Sequence, residues 1–456
     1  NPRQLAYEHP TLAPNTMYQV VLEAGYKDPE GNTALLRHHW SFLTEGPPTL
    51  AASAPGNGEA GVDPAAYLVL NFSRNMAGAS LSSTITIAPS APFSVRLDPA
   101  DGRRAIIAPS ALLKSGTTYT IAVASAASDA DGNQLASSAS ITFTTGAVRQ
   151  LRHWIAFTTA SADGTSGALW IVNESGFPRR LFNGAPVSAF SWSPEGDTLL
   201  VQGVDSSWSA LTPGGDPTPL GFKAAWAAPL SAGQGTVYID DTGALHRRSP
   251  GGADSVIALA VSAAAVAPGG NRIAFVEARS QSQVIWGYDV GLRARYQLAI
   301  EDGPVSDISW SPAGNRIAYL RVDAETTSVK VRNLTGVGAT STVASGTGIG
   351  APAWLPDSVH LVFSATLQSS TGTLRKAFVV SVIAPPAALT APLGLPADPT
   401  VSVANPLPSP DGHQLAFLND NQVWLMNADG TRPTPLTAYD PVSFPYSVRT
   451  PAWTRA

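Results

Sequence analysis

The chain carries the stretch Ser309-Trp310-Ser311-Pro312-Ala313-Gly314, and versions of this phrase recur along its C-terminal two thirds. Clear copies are Ser191-Trp192-Ser193-Pro194-Glu195-Gly196 and Pro408-Ser409-Pro410-Asp411-Gly412, and degenerate copies begin at Ala225, Ala265, Ala353 and Thr450. Self-similarity at a regular spacing marks a repeated supersecondary unit, and it constrains a fold more strongly than local composition does.

The spacing of the repeat matches one four-stranded blade. The tryptophan place of each copy holds Trp192, Ala227, Val266, Trp310, Trp354, Pro408 and Trp453. Intervals range from 35 (227 − 192) to 54 residues (408 − 354), around the ~40–45 residues that a propeller blade needs. An apolar run such as Arg316-Ile317-Ala318-Tyr319-Leu320 follows the turn. The pattern predicts an all-β chain with a seven-bladed β-propeller over residues 149–456.

The two ends of the repeat region are complementary. No predicted strand follows the last copy of the motif, Thr450-Pro451-Ala452-Trp453. No copy of the motif precedes the first predicted strands, 153–157 and 168–172. We therefore expect strands from both ends to complete one blade, which removes the open edges of the ring.

A second repeat lies in the first 146 residues. The segment Leu12-Ala13-Pro14-Asn15-Thr16-Met17-Tyr18 matches Leu113-Lys114-Ser115-Gly116-Thr117-Thr118-Tyr119, and Asp28-Pro29-Glu30-Gly31-Asn32 matches Asp129-Ala130-Asp131-Gly132-Asn133. The offsets 119 − 18, 132 − 31 and 144 − 43 all equal 101. About 100 residues is the size of an immunoglobulin-like sandwich.

The sequence of this N-terminal region resembles the bacterial Ig-like domain of S-layer and other surface proteins. The resemblance is carried by Gly61-Val62-Asp63-Pro64, Leu70-Asn71-Phe72-Ser73-Arg74-Asn75-Met76, Gly116-Thr117-Thr118-Tyr119, 129–133 and Thr142-Phe143-Thr144-Thr145-Gly146. It implies one complete domain at 50–146 and the C-terminal half of another at 1–46. Half a sandwich cannot bury its own inner face, so we expect upstream residues or another partner to cover residues 1–46.

The sequence of the predicted propeller, about residues 150–456, is similar to the TolB-type repeat. The similarity is carried by 192–196, by Trp310-Ser311-Pro312-Ala313-Gly314-Asn315-Arg316-Ile317-Ala318-Tyr319 and by 409–437. Propellers of this kind occur in translocation proteins, peptidase accessory domains and surface proteins. TolB proteins carry an α/β domain before a six-bladed ring, whereas this chain has an Ig-like sequence followed by seven repeats.

Composition restricts the classes of function. Charged residues make up 13% of the 456 residues, about half of the usual ~25%. The formal net charge of −5, with no basic run, argues against nucleic acid or an anionic membrane as the main partner. Without cysteine the chain has no disulfide, thiolate metal site or cysteine nucleophile. No apolar stretch is long enough to predict a transmembrane segment.

Several motifs suggest chemistry but have simpler structural interpretations. The repeated tryptophans could stack on carbohydrate, but a recurring repeat position is usually structural. Residues 129–133 resemble part of a calcium loop, yet position 140 is Ser140 instead of the required Glu, so a tight turn is preferred. The seven histidines show no metal-binding spacing. Ser161-Ala162-Asp163-Gly164-Thr165 resembles a sialidase Asp-box only faintly, and Gly56-Asn57-Gly58-Glu59-Ala60-Gly61 is interpreted as a loop.

Two features stay open. Loop carboxylates could meet in the propeller channel, and the candidates are Asp205, Asp240, Asp241, Asp254, Asp289, Asp307 and Asp323. The Pro-rich insertion at 384–396 is interpreted either as a protein-docking loop or as a rigid bridge lying on its own blade.

We therefore expect a non-catalytic binding or scaffold protein, extracellular, at the cell surface or in the periplasm of a bacterium. Ig-like spacers would present the propeller to a protein partner in a surface or envelope assembly, with a glycan as a further ligand. No catalytic, cofactor or metal residue is assigned, and nucleic acid is not expected as a partner. The alternatives are a polysaccharide hydrolase or lyase that uses channel carboxylates, and a TolB-like periplasmic component.

Overall fold

Strands account for nearly all regular structure in the computed structural model, which confirms the predicted all-β class. The structure describes residues 6–148, 151, 154–160, 167–174, 176, 178–182, 184–335, 338–369, 372–390, 394–437 and 446–454. Within these residues α1 (Gly78–Thr84) is the only helix. The chain divides into two units, one formed by Asn1–Val62, Ala66–Pro109 and Gly116–Thr145, and the other by Asp63–Ala65, Ser110–Ser115 and Gly146–Ala456.

The first unit contains a two-stranded sheet and two four-stranded sheets. Strands β1 (Met17–Leu22) and β2 (His38–Leu43) form the antiparallel pair. One larger sheet has the order β3-β5-β8-β7, with β3 (Leu50–Ala54), β5 (Leu68–Phe72), β7 (Phe93–Asp98) and β8 (Asp101–Pro109). The other has the order β4-β10-β9-β6, with β4 (Glu59–Val62), β6 (Ile85–Ala88), β9 (Thr118–Val123) and β10 (Ala139–Thr145).

The core of the first unit follows from alternation along these strands. Leu68, Leu70 and Phe72 of β5 are buried, as are Tyr119 and Ile121 of β9, while the residues between them are more exposed. Successive side chains of a strand point to opposite faces, so each sheet presents one apolar face.

The second unit contains seven sheets in its described part. Six of them follow one another along the chain: β14 (Val187–Trp192), β15 (Leu199–Gly203), β16 (Ser207–Leu211), β17 (Thr218–Lys223); β18 (Trp226–Pro229), β19 (Thr236–Ile239), β20 (Leu245–Arg248), β21 (Asp254–Ala258); β22 (Val261–Val266), β23 (Arg272–Ala278), β24 (Gln283–Asp289), β25 (Ala294–Glu301); β26 (Val305–Trp310), β27 (Arg316–Val322), β28 (Thr327–Asn333), β29 (Thr340–Gly346); β30 (Ala353–Trp354), β31 (His360–Ser369), β32 (Gly372–Ser381); and β33 (Ala404–Pro408), β34 (Gln414–Asn419), β35 (Gln422–Asn427), β36 (Thr434–Pro435).

The seventh sheet joins the two ends of the repeat region. It has the order β13-β12-β11-β37, formed by β11 (Ile155–Ala160), β12 (Leu169–Val172), β13 (Arg179–Arg180) and β37 (Ser447–Trp453). Strand β37 pairs antiparallel with β11, and the hydroxyl oxygens of Thr158 and Thr450 lie 2.8 Å apart. The backbone N–H of Thr454 also donates to the carbonyl of Trp154 at 2.9 Å.

The first strands of neighbouring sheets contact each other in chain order. These contacts run from β14 through β18, β22, β26, β30 and β33 to β37, and β11 contacts β14. The apolar core lies between adjacent sheets, where second strands supply large residues. In one cluster, for example, Ala318 and Leu320 of β27 pack with Leu361 and Phe363 of β31.

The insertion at 384–396 lies against its own sheet. Leu395 forms an antiparallel bridge with Ala377 of β32, with both backbone hydrogen bonds at 2.8–3.0 Å. Leu389 packs on the cluster that contains Phe363 and Phe378. The side-chain amine of Lys376, which is nearly buried, donates to the carbonyls of Asp398 and Val401. The contacts favour the rigid-bridge interpretation, and residues 391–393 lie outside the described part.

Candidate functional site

The repeated tryptophans hold neighbouring sheets together. The indole Nε1 of Trp310 donates to the carbonyl of Ala265 at 3.0 Å, and that of Trp453 donates to Leu407 at 2.9 Å. Trp354 makes the equivalent, longer bond to Ser309 at 3.4 Å. Trp192, Trp310 and Trp354 are all at most 8% exposed. Their ring faces are therefore closed to a sugar, and the structural interpretation is the one that the contacts support.

The serine of each clear phrase organises the turn that follows. The Ser311 hydroxyl accepts the backbone N–H of Arg316 at 3.0 Å and donates to Asn315 at 3.1 Å. Ser409 accepts the N–H of Gln414 at 3.0 Å. Ser193, Ser311 and Ser409 are buried. Because a buried hydroxyl must find partners, the repeated Ser-Pro pair is explained by turn geometry.

A small cavity lies beside the first strands of four adjacent sheets. Its volume is about 290 Å³. Its lining comes from β14, β18, β22 and β26 and their following turns, and includes Trp192, Trp226, Trp310, Ala264 and Pro268. The lining residues in the described part include no carboxylate.

The candidate carboxylates are dispersed among separate turns and strands. Asp205 accepts hydrogen bonds from the Ser207 hydroxyl and N–H and pairs with Lys223 at 3.2 Å, which lowers its pKa to about 2. Burial raises the pKa of Asp240, but hydrogen bonds from Thr242, the Ala244 N–H and His246 outweigh it and lower that pKa to about 2.

Three of the other candidates also have partners close in the chain. Asp254 pairs with Arg248 at 2.5 Å, Asp323 with Arg321 at 3.0 Å, and Asp289 accepts the N–H of Leu292 at 2.8 Å. Asp307 lies exposed on β26 and accepts the Ser306 hydroxyl, and Asp241 is an exposed turn residue. Among the described residues no three acidic or histidine side chains are grouped as metal ligands.

The Asp129 turn binds an arginine. Its buried carboxylate accepts the N–H groups of Asp131 and Asn133, and pairs with the Arg74 guanidinium at 3.3 Å. Burial raises the pKa of Asp129, and these hydrogen bonds lower it by more. The arrangement matches the tight-turn interpretation.

The remaining motifs also have structural partners. Among the histidines, His246 pairs with Asp240 at 2.9 Å and His360 with Asp357 at 2.5 Å. In the glycine-rich loop the Gly56 N–H donates to the Glu59 carboxylate at 2.7 Å, just before β4. His153 and the Asp-box candidate at 161–165 lie outside the described residues.

A buried charge network was not predicted from the sequence. The Glu301 carboxylate, 6% exposed, accepts the Tyr319 hydroxyl at 2.6 Å and the Lys330 amine at 2.7 Å. Arg321 lies 3.6 Å away. Burial and the Glu301 carboxylate raise the pKa of Tyr319. The network joins β25 to β27 and β28, so it ties two adjacent sheets.

Exposed carboxylates lie at both ends of the sheets, and one group of them lies in the turns between second and third strands. Strands within each sheet are antiparallel, so the turn between second and third strands lies at the end opposite the Ser-Pro turn. Four strands return the chain to its starting end, so successive sheets are oriented alike. We call this end the acidic end; the exposed carboxylates of its second-to-third turns, within the described residues, are Asp205, Asp241, Glu325 and Asp420.

One family model matches part of the first unit. Residues 45–145 match the family model of the bacterial Ig-like domain. The predicted combination of an Ig-like domain and a propeller is confirmed. No curated protein matches the chain. No helix of the described residues has the length and apolar character to cross a membrane.

Several solved structures are similar to the chain. TolB from Acinetobacter baumannii is 12% identical, with 81% of this chain and 83% of that chain covered and a TM-score of 0.43. Hydrazine synthase of Kuenenia stuttgartiensis is 14% identical, with 60% and 95% covered and a TM-score of 0.41. Oligogalacturonate lyase from Vibrio parahaemolyticus is 10% identical, with 61% and 83% covered and a TM-score of 0.42.

Proposed function

We propose that this chain is a non-catalytic, extracytoplasmic binding protein of a bacterial surface or envelope assembly. In this proposal the Ig-like region, comprising a half domain at 1–46 and a complete domain at 50–146, spaces a seven-bladed ring at 149–456. The ring binds a protein partner through its acidic end. The family match to a bacterial Ig-like domain supports a surface or periplasmic location.

The observation that carries the proposal is that buried and exposed positions of the repeat have different roles. Residues at recurring motif positions, such as Trp310 and Ser311, are buried and bond to neighbouring sheets or turns. The second-to-third turns in the described residues differ between blades, and four of these five turns expose a carboxylate, with the exposed basic residues Lys223 and Arg279 nearby. A rigid scaffold with variable, charged turns suits recognition of a protein with a basic surface.

A polysaccharide hydrolase or lyase has weaker support. Such enzymes use two carboxylates ~5–10 Å apart across the sugar. Here Asp205, Asp240, Asp254 and Asp323 each pair with a basic side chain of their own sheet, and no carboxylate is found among the described residues that line the cavity beside the first strands.

The first experiment is chemical cross-linking of the native envelope, followed by mass spectrometry. Reproducible cross-links from the acidic end to one other protein would identify the partner. Cross-links spread evenly over both ends, or only within this chain, would contradict the proposal.

A charge-reversal pair then tests the surface itself. Asp241→Lys with Glu325→Lys changes the acidic end, and Asp216→Lys with Asp429→Lys makes the same change at exposed turns of the opposite end. The first variant should slow association with the partner roughly 10-fold at low salt, an effect that shrinks at high salt because the attraction is electrostatic. Equal effects of both variants would contradict this assignment.

A further inference from the structure

The two-stranded sheet β1–β2 repeats β9–β10 residue by residue. Tyr18 pairs with Phe42 as Tyr119 pairs with Phe143, and both partners are shifted by 101 positions. The aromatic pairs have the same geometry, with ring centroids 5.9 and 5.8 Å apart and interplanar angles of 22°.

The ends of the two sheets also match. The Thr44 hydroxyl accepts the N–H of Thr16 at 2.8 Å, as the Thr145 hydroxyl accepts that of Thr117 at 2.9 Å. In the turn between the strands, Asp28 accepts the N–H of Asn32 at 2.8 Å, and Asp129 accepts that of Asn133 at 2.8 Å. Residues 16–44 therefore have the local structure of the second half of an Ig-like sandwich.

The two sheets differ in what covers them. In the complete domain, Ile141 and Phe143 are at most 3% exposed, whereas their counterparts Trp40 and Phe42 are 52% and 38% exposed. Strand β9 is flanked by β6, and β10 by β4. Within the described residues β1 and β2 pair only with each other, so one apolar face and both sheet edges are open.

We propose that this face is covered by a half-sandwich that carries counterparts of β3 to β7, contributed by the same polypeptide on the N-terminal side of Asn1. This half-sandwich would pair antiparallel with β1, as β6 does with β9, and parallel with β2, as β4 does with β10. Its apolar face would close over Tyr18, Val20 and Trp40. The proposal does not depend on the proposed function of the propeller.

The segment that leads into β1 supports the proposal that the covering half-sandwich belongs to the same polypeptide. In the complete domain, β8 and β9 are joined by residues 110–117, and residues 9–16 stand in the same register before β1. The connection that would lead from the missing half to the present half is therefore already there. The face itself has no charged residue among Tyr18, Val20, Leu22, Trp40 and Phe42, as a sandwich core requires.

The absence of cysteine makes a direct test practical. Val20→Cys places a thiol on the open face, and Gln19→Cys places one on the opposite face of the same strand. Phe42→Cys is a second probe if Val20→Cys folds poorly. Maleimide reaction rates are measured for each variant in the 456-residue chain and in the protein purified from cells that express the altered native gene.

In the 456-residue chain the thiols at 19 and 20 should react at rates within roughly 10-fold of each other. In the native protein the thiol at 20 should react roughly 100-fold more slowly than that at 19, because reaction then requires local opening, and dilution should not change this. Equal rates in the native protein would overturn the proposal. Protection that disappears on dilution would also overturn it, because a second copy or a separate partner would then be the cover.

Discussion

Trp310 and Trp192 occupy the same repeat position but differ in one hydrogen bond. The Nε1 of Trp310 donates to Ala265, whereas the buried Nε1 of Trp192 has no partner among the described residues. Trp310→Phe should therefore destabilise the second unit by about 1–2 kcal/mol more than Trp192→Phe, since it also leaves a carbonyl without its donor. Urea denaturation followed by circular dichroism measures the difference, and equal losses would show that this bond contributes nothing.

The ionisation of Asp240 should make the free energy of unfolding depend on pH. Its folded-state pKa of about 2 lies below the ordinary 3.8, so folding favours the ionised form, and its contribution is complete above about pH 5 and is lost as pH falls toward 2. Asp240→Asn should lower the free energy of unfolding by about 1–2 kcal/mol at pH 7, and by progressively less from pH 4 to pH 2.

The neighbouring Asp241→Asn is the matched control for this titration. Its exposed carboxylate makes no hydrogen bond among the described residues, so its free energy of unfolding should follow that of the unaltered protein across the range. Denaturant titrations at each pH give both curves. A constant deficit of Asp240→Asn down to pH 2 would mean that packing, and not ionisation, causes the loss.

Strand β37 is the element on which the pairing of the chain ends depends. Deleting residues 446–456 removes the partner of β11, and also Val448, which packs with Ile155 and Phe157 in the core. The second unit should lose its cooperative thermal transition and aggregate through the exposed edge. Deleting residues 1–46 is the control, because that segment belongs to the first unit, and the transition of the second unit should persist.

Elements built from local sequence were predictable, and contacts between distant elements were not. The Ser311 turn lies within six residues, so the phrase itself reveals it. Glu301 and Lys330 are 29 residues apart, and Arg74 and Asp129 are 55 apart. Only strand order and register bring such pairs together. The acidic end could not be predicted for the same reason. The sequence shows that its carboxylates lie in turns, but the antiparallel order of the strands determines that these turns lie at the same end of the sheets.

At the scale of the whole molecule, local stability should follow how completely each strand is covered and flanked. Strands β2 and β10 have the same register with β1 and β9, yet every residue of β2 is exposed, whereas β10 buries Ile141, Phe143 and Thr145 and has a second partner strand, β4. Amides of β2 should therefore exchange with deuterium at least roughly 100-fold faster than those of β10, because exchange reports local opening and a face without apolar cover opens readily.

Hydrogen exchange followed by mass spectrometry makes this comparison within one sample of the 456-residue chain. The second strands of the propeller provide an internal reference: Ile317 and Ala318 of β27 and Leu415 and Ala416 of β34 are fully buried and pair on both sides. They should exchange slowest. If β2 instead exchanged as slowly as β10 at low protein concentration, neither the open face nor the open edge of β2 could control opening, because β10 has both a covered face and a second partner strand, β4.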